Sequence, residues 1–369
     1  MKRSLLPLLL TLLLTLLLTG CGTAAESSAS VEFFAMDTVM RLETPGLSDP
    51  AAVTAARDAV EELDAILSRT KGESEISRLN AANGEATALS YPAAALLAAA
   101  REYCFATDGA FDCTIAPVMD AWGFTTDAPR IPDAETLASL LPLVDSGSLP
   151  IESPPPGGSA EARLFPGQAV DLGGIAKGYA SDAVEAALRR NGAERAMVYL
   201  GGNVLALGSK ADGSPWRVAV QDPEDASSYA GILSLTDAFA VTSGGYQRYF
   251  EEGGVRYQHI LDPGTGYPAG SGLTSVTVVA DANGASYHSE TPPPANGAMC
   301  DAFSTALFVM GEERAIAFWR SCGYDFELVL VTEDGRVLVT EGLQNRFEQT
   351  EGSAYRYEVI QRADEARPG

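Results

Sequence analysis

Apolar residues along this chain recur at two different spacings, and the switches between them mark its elements. After Ser48-Asp49-Pro50, the residues Val53, Ala56, Val60, Leu63 and Leu67 stand three or four apart, which predicts a helix with one buried face. A second helix is predicted from Pro92 to about Phe105, stopping near Asp108-Gly109. A third begins around Gly174, shows Ile175, Tyr179, Val184 and Leu188 on one side, and ends at Asn191-Gly192. Short apolar runs at 196–200, 216–220, 232–235, 239–242, 257–261 and 273–280 read as strands. A last helix, Cys300 to about Arg320, precedes a hairpin of 326–332 and 336–340 turned by Glu333-Asp334-Gly335. Helices and strands mix throughout, so the predicted class is α/β (mixed α+β). Two Pro/Gly/Ser-rich stretches, 144–160 and 281–297, read as surface insertions.

The first thirty residues follow a different logic. Lys2 and Arg3 precede a leucine-rich run from Leu5 to Leu18, followed by Thr19-Gly20-Cys21. A charged start, an apolar run too short to span a bilayer and small residues before a cut make a secretion signal. The Leu-x-Gly-Cys ending resembles a bacterial lipobox. By that resemblance residues 1–20 are removed, Cys21 is diacylated through its sulfur, and the protein is lipid-anchored on the outer face of the bacterial cell membrane. An uncleaved anchor, or an ordinary signal with a chance cysteine, is the competing explanation. Residues 21–31 then serve as a flexible tether, 32–355 as the folded unit and 356–369 as a polar C-terminal tail.

Charge and cysteines change the picture in two ways. The formal net charge is −24, and −26 once Lys2 and Arg3 leave with the signal, a surface that repels nucleic acid and anionic lipid. Any anionic ligand must therefore be met by local donors or a divalent cation. Cys104, Cys113, Cys300 and Cys322 form no C-x-x-C pair, and only His259 and His288 accompany them, which argues against structural zinc. Export permits one or two disulfides without requiring them.

Chemistry-bearing residues gather in five places. Asp171-Leu172-Gly173-Gly174-Ile175-Ala176-Lys177-Gly178-Tyr179 puts three glycines, a lysine and a carboxylate at a helix mouth, a composition suited to holding phosphate. It satisfies neither the dinucleotide G-x-G-x-x-G nor the P-loop pattern. Asp301 and Thr305 lie four apart on a helix with Ser304 beside them, either hard oxygen ligands for Mg²⁺ or a buried cap and a hydroxyl bonded to the preceding turn. His259, in a run that ends at Asp262-Pro263-Gly264, is either a proton acceptor or a structural histidine. Thr242-Ser243-Gly244-Gly245 makes an anion nest or a tight turn. Phe111, in Thr107-Asp108-Gly109-Ala110-Phe111-Asp112, stacks on a flat ring or packs in the core.

In order, Phe34-Ala35-Met36-Asp37-Thr38, Ser74 to Asn80, Asp108 to Asp112, Trp122-Gly123-Phe124, Asp171 to Tyr179, Leu200-Gly201-Gly202-Asn203, Thr242-Ser243-Gly244, His259 to Gly266 and Asp301 to Leu307 resemble the ApbE family of FAD:protein FMN transferases, over roughly residues 33 to 345. The resemblance implies two intimately packed lobes forming one catalytic unit, with FAD in the cleft between them and Mg²⁺ at its pyrophosphate. It implies that FAD is split between its phosphates, that FMN passes to a threonine of an extracytoplasmic redox protein as a phosphoester, and that AMP is released. Carried over by motif, Met36, Ala110, Phe111, Asp112, Asp171, Lys177 and Ile260 would line the FAD site. The Gly174 carbonyl, Asp301 and Thr305 would hold the metal, with Ser304 close by, and His259 would take the threonine proton.

Several positions depart from the family pattern. Asp37 replaces a common glycine, Cys113 a common proline, and Arg69-Thr70-Lys71 stands where some members place a tyrosine against the isoalloxazine, leaving Phe111 or Trp122 to stack. Two other readings use the same residues: a hydrolase giving FMN and AMP, and a lipoprotein that only captures flavin.

Overall fold

The computed structural model describes residues 27–126, 128–282 and 294–362. Its centre is a nine-stranded sheet whose strands follow one another across the sheet in chain order, from Ser28–Ala35 at one edge to Arg356–Ile360 at the other. Every neighbouring pair is antiparallel except the last, where Arg336–Thr340 and Arg356–Ile360 run parallel.

Both faces of this sheet are covered, which is why its central strands read as unbroken apolar runs. Along Glu327–Thr332, Leu328 and Leu330 join the larger core against helices Ala51–Leu67, Ala176–Arg190 and Asn296–Ser321. The alternate residues Val329 and Val331 join a second core against a three-stranded sheet of Trp216–Gln221, Tyr229–Leu235 and Phe347–Gln349. A third, smaller core of Val118, Trp122, Phe124, Leu137 and Leu261 lies under the hairpin Tyr249–Glu252/Val255–Gln258. The fold is mixed α/β, as predicted.

The predicted helices stand at Ala51–Leu67, Tyr91–Ala106, Ala176–Arg190 and Asn296–Ser321. The last is broken at Gly311, whose φ of 76° lets its backbone press against the Ser271 carbonyl. The strand expected at 257–261 ends at Gln258, so His259 follows the strand instead of lying within it.

Other boundaries moved because backbone pairing, invisible to side-chain pattern, recruited polar segments. The end of the expected tether is in the sheet from Ser28, and the expected tail contributes the edge strand Arg356–Ile360. The stretch 144–160 is more than a surface insertion: Leu149 and Ile151 are buried, and Arg101 donates to both their carbonyls at 2.9 and 2.8 Å. The core of the other expected insertion, with His288, lies outside the described residues, as do the signal and Cys21. Among the described residues all four cysteines are free thiols, and no helix is long and apolar enough to cross a membrane.

Candidate functional site

A cavity of about 770 Å³ opens where the helical layer, the ends of the central strands and the small aromatic core meet. One wall begins with the two-residue turn Met36-Asp37, which joins the first two strands with φ of 47° and 58°. That is the left-handed geometry of a tight hairpin, usually given to Asn or Gly. It is anchored here by the Met36 N–H donating to Asp64 Oδ2 at 3.1 Å, the same oxygen that Lys71 Nζ meets at 2.7 Å.

The run from Asp171 to Lys177 forms the floor. The Asp171 carboxylate folds back on its own loop, accepting from the Gly173 N–H at 2.7 Å through Oδ1, and pairs through Oδ2 with Arg69 Nε at 2.7 Å. Lys177 Nζ donates to the Gly173 carbonyl at 2.9 Å and lies 3.9 Å from Asp301 Oδ2. A Cβ at Gly174 would stand 3.3 Å from the Phe111 ring and 3.4 Å from Thr305 Oγ1, so glycine is what lets this backbone meet the Asn296–Ser321 helix closely. Phe111 and Ala110 are buried and line the cavity; the Phe111 N–H donates to Thr107 Oγ1 at 3.1 Å. Asp112 also lines it, but its oxygens are used inside the fold. Oδ1 accepts from the Thr114 N–H and hydroxyl at 2.7 and 2.5 Å, and Oδ2 from the Ser146 N–H at 2.9 Å.

Facing this floor, His259 and Ile260 follow the hairpin strand Val255–Gln258. The Arg248 carbonyl accepts from the His259 N–H at 3.1 Å and lies 3.0 Å from Nδ1. A carbonyl can only accept, so Nδ1 carries the ring proton and Nε2 keeps a free lone pair. Desolvation, assisted by the positive charges of Arg248 and Lys177, pushes the imidazole down to about 4, so it is neutral at pH 7.

A sequence profile of the ApbE family matches residues 36–329. This chain belongs to the ApbE family. The FAD:protein FMN transferase of Vibrio cholerae is 32% identical over 299 residues, spanning 80% of this chain and 84% of that one. The crystal structure of the ApbE protein from Thermotoga maritima superposes with a TM-score of 0.76 at 29% identity, covering 88% of this chain and 100% of that chain. Pseudomonas stutzeri flavinyl transferase ApbE, in its apo form, gives 0.72 at 27% identity, covering 87% and 97%.

Of the ApbE residues carried over by motif, Met36, Ala110, Phe111, Asp112, Asp171, Gly174, Lys177, His259, Ile260, Asp301 and Thr305 all line the one cavity. Ser304 does not: it is fully buried, donates to the Asp301 carbonyl at 2.9 Å and lies 2.8 Å from Ser243 Oγ. Ser243 in turn lies 3.3 Å from Thr305 Oγ1, so Ser304 supports the donor set from behind. Trp122 is also off the wall. It is buried against Phe124 with centroids 5.8 Å apart, and its Nε1 donates to the Gly266 carbonyl at 2.7 Å, so of the two rings expected to stack only Phe111 lines the cavity.

Mg²⁺ fits the donor chemistry. One carboxylate, one hydroxyl and one backbone carbonyl are hard oxygen ligands, and Mg²⁺ takes few protein ligands because it keeps waters and substrate phosphates. Among the described residues no cluster of three or more His, Cys, Asp or Glu is placed to bind a metal.

Sequence reasoning overlooked Asp64 and Arg248 and gave no site role to Arg69 or Asn203, all on the wall. Arg69 bridges Asp171 and Asp120, the latter at 2.8 Å, and the departure from the family's tyrosine was its only signal. Arg248 acts through its carbonyl, which no side-chain pattern reveals.

Proposed function

We propose that this chain is a Mg²⁺-dependent FAD:protein FMN transferase that attaches FMN through a phosphoester to a threonine of an acceptor protein and releases AMP. One observation carries the reading. A neutral histidine with a bare Nε2 shares a cavity with a lysine and with an oxygen donor set suited to a divalent cation. Capture of flavin alone has no use for a base.

The acceptor hydroxyl would give its proton to His259 Nε2 as its oxygen bonds to the flavin-side phosphorus; the bond from that phosphorus to the bridging oxygen breaks, and AMP leaves with the oxygen. Lys177, at the start of helix Ala176–Arg190 and fixed by the Gly173 carbonyl, would bind phosphate oxygens. Asp301, Thr305 and the Gly174 carbonyl would hold Mg²⁺, which when bound neutralises charge that develops on the phosphates. Phe111 offers the flavin a flat apolar surface. The signal ending at Cys21 supports lipid anchoring on the extracytoplasmic side, where the acceptor would reside.

The test is direct. Protein, FAD, Mg²⁺ and a threonine-bearing acceptor domain should yield an FMN-sized mass gain on the acceptor with one AMP per transfer. AMP without the mass gain would identify a hydrolase instead, and neither product a flavin-capturing protein.

A further inference from the structure

A buried carboxylate outside the cavity joins the two helices that carry the donor set. Asp182, on helix Ala176–Arg190, is 0% exposed. Its carboxylate accepts three backbone N–H groups from the start of helix Asn296–Ser321: Gly297 at 2.7 Å through Oδ1, and Ala295 and Ala298 at 2.9 and 3.1 Å through Oδ2. That helix has no side-chain cap of its own at Ala295, so these orphan donors are satisfied by a neighbouring helix. The arrangement is reciprocal. From helix Asn296–Ser321, Asp301 Oδ2 accepts the Gly178 N–H in the first turn of helix Ala176–Arg190 at 2.8 Å. Between the two carboxylates the backbones touch: a Cβ at Gly178 would fall 2.2 Å from the Gly297 carbonyl oxygen, and one at Gly297 2.5 Å from that of Gly178.

We infer that Asp182 is a positioning residue for the metal donors, fixing through the first turn of helix Asn296–Ser321 where Asp301 and Thr305 stand relative to Gly174. Asp301 Oδ2 accepts the Gly178 N–H, so the aim of this carboxylate depends on the crossing that Asp182 holds. Asp301 lies four residues beyond Gly297, one turn along the capped helix, so a shift in that first turn is carried directly to the donor. At this crossing Lys177 Nζ stands 3.9 Å from the same carboxylate. The inference rests on the assignment of Asp301, Thr305 and Gly174 to Mg²⁺ made above.

The experiment titrates Mg²⁺ calorimetrically into full-length protein loaded with ADP, which offers a pyrophosphate but no flavin to transfer. It compares wild type, Asp182→Asn and Leu338→Ala, the last a buried sheet residue off the cavity wall that serves as the control for general destabilisation, with melting temperatures measured for all three. Asp182→Asn should weaken Mg²⁺ about tenfold, as loss of groups that orient ligands does. FMN binding, read by fluorescence quenching, should stay within about twofold, and Leu338→Ala should leave Mg²⁺ affinity at the wild-type value. In transfer assays the Asn variant should need more Mg²⁺ for half-maximal rate yet regain most of kcat at saturation. If Asp182→Asn does not fold, Asp182→Ser, whose hydroxyl oxygen keeps an acceptor at this position, takes its place with the same expectation. Unchanged Mg²⁺ affinity in the Asp182 variant, or an equal loss in Leu338→Ala, overturns the inference alone. Absence of Mg²⁺ binding in the wild type overturns the metal assignment beneath it.

Discussion

The two walls of the cavity are built in opposite ways. On the side of Gly174, Asp301 and Thr305, two long helices cross with glycine against glycine, and each sends a buried carboxylate to the backbone of the other. On the side of His259, a two-stranded hairpin with mostly exposed residues rests on a few rings, Phe250 and Tyr257 stacked at 5.2 Å and Trp122 at 5.7 Å from Tyr257. The first wall has no freedom to adjust, because backbone atoms already touch. The second is held by side chains at the rim, where stability is lowest and local opening easiest. The proposed reaction asks for this division: the anhydride must be held in one geometry, while the base must meet a hydroxyl delivered by another protein.

The harshest way to break the comparison is Gly178→Ala. The new methyl would meet the Gly297 carbonyl and, at 2.6 Å, the Asp301 Cβ, neither of which is the end of a flexible chain. A destabilisation of about 3 kcal/mol is expected by denaturant unfolding, with loss of both FAD binding and transfer. A variant that unfolds like wild type and still binds FAD would show that the crossing has slack.

The corresponding change on the other wall should leave the fold alone. His259→Ala removes a half-buried ring that is held by the Arg248 carbonyl. Transfer should fall about 10²- to 10⁴-fold, while melting temperature and FAD affinity stay near wild type. Retention of full transfer would remove the base from the mechanism. Joint loss of FAD binding would mean that His259 shapes the pocket as Gly178 does, and the contrast between walls would disappear.

Legibility in the sequence follows the same division. The helix Ala51–Leu67 was readable because it buries a periodic apolar set, the strand Ala196–Leu200 because it is a short apolar run, and the glycine-rich floor because glycine at a helix mouth has a narrow range of uses. The Met36-Asp37 hairpin was not, since its left-handed turn lacks the Asn-Gly signal that usually marks one. The strand Arg356–Ile360 looked like a tail because its side chains are mainly polar and its place comes from parallel pairing with Arg336–Thr340. Asp182 left a trace that went unused. It sits three residues after Tyr179, on the apolar side of the helix, where a carboxylate must find donors or stay costly to bury.

The finest test of the flexible wall is the protonation of His259 itself. Melting curves against pH do not isolate it, because two groups oppose each other. His259, pushed down to about 4 from 6.5, binds its proton more weakly when folded, so its contribution to stability falls as pH drops from 6.5 towards 4. Asp182, pushed up to about 7 from 3.8 chiefly by burial, holds its proton more tightly when folded, so its contribution grows as pH drops through an overlapping range. Imidazole NMR separates them, since the chain has only two histidines and the resonance lost in His259→Ala is that of His259. That resonance should keep neutral-form shifts down to about pH 5, with nitrogen shifts placing the proton on Nδ1. A midpoint near 6.5 would mean that the hairpin opens to water often enough to solvate the ring. The base would then be exposed before any acceptor arrives, and docking of the acceptor would have to supply the desolvation that the cavity wall supplies here.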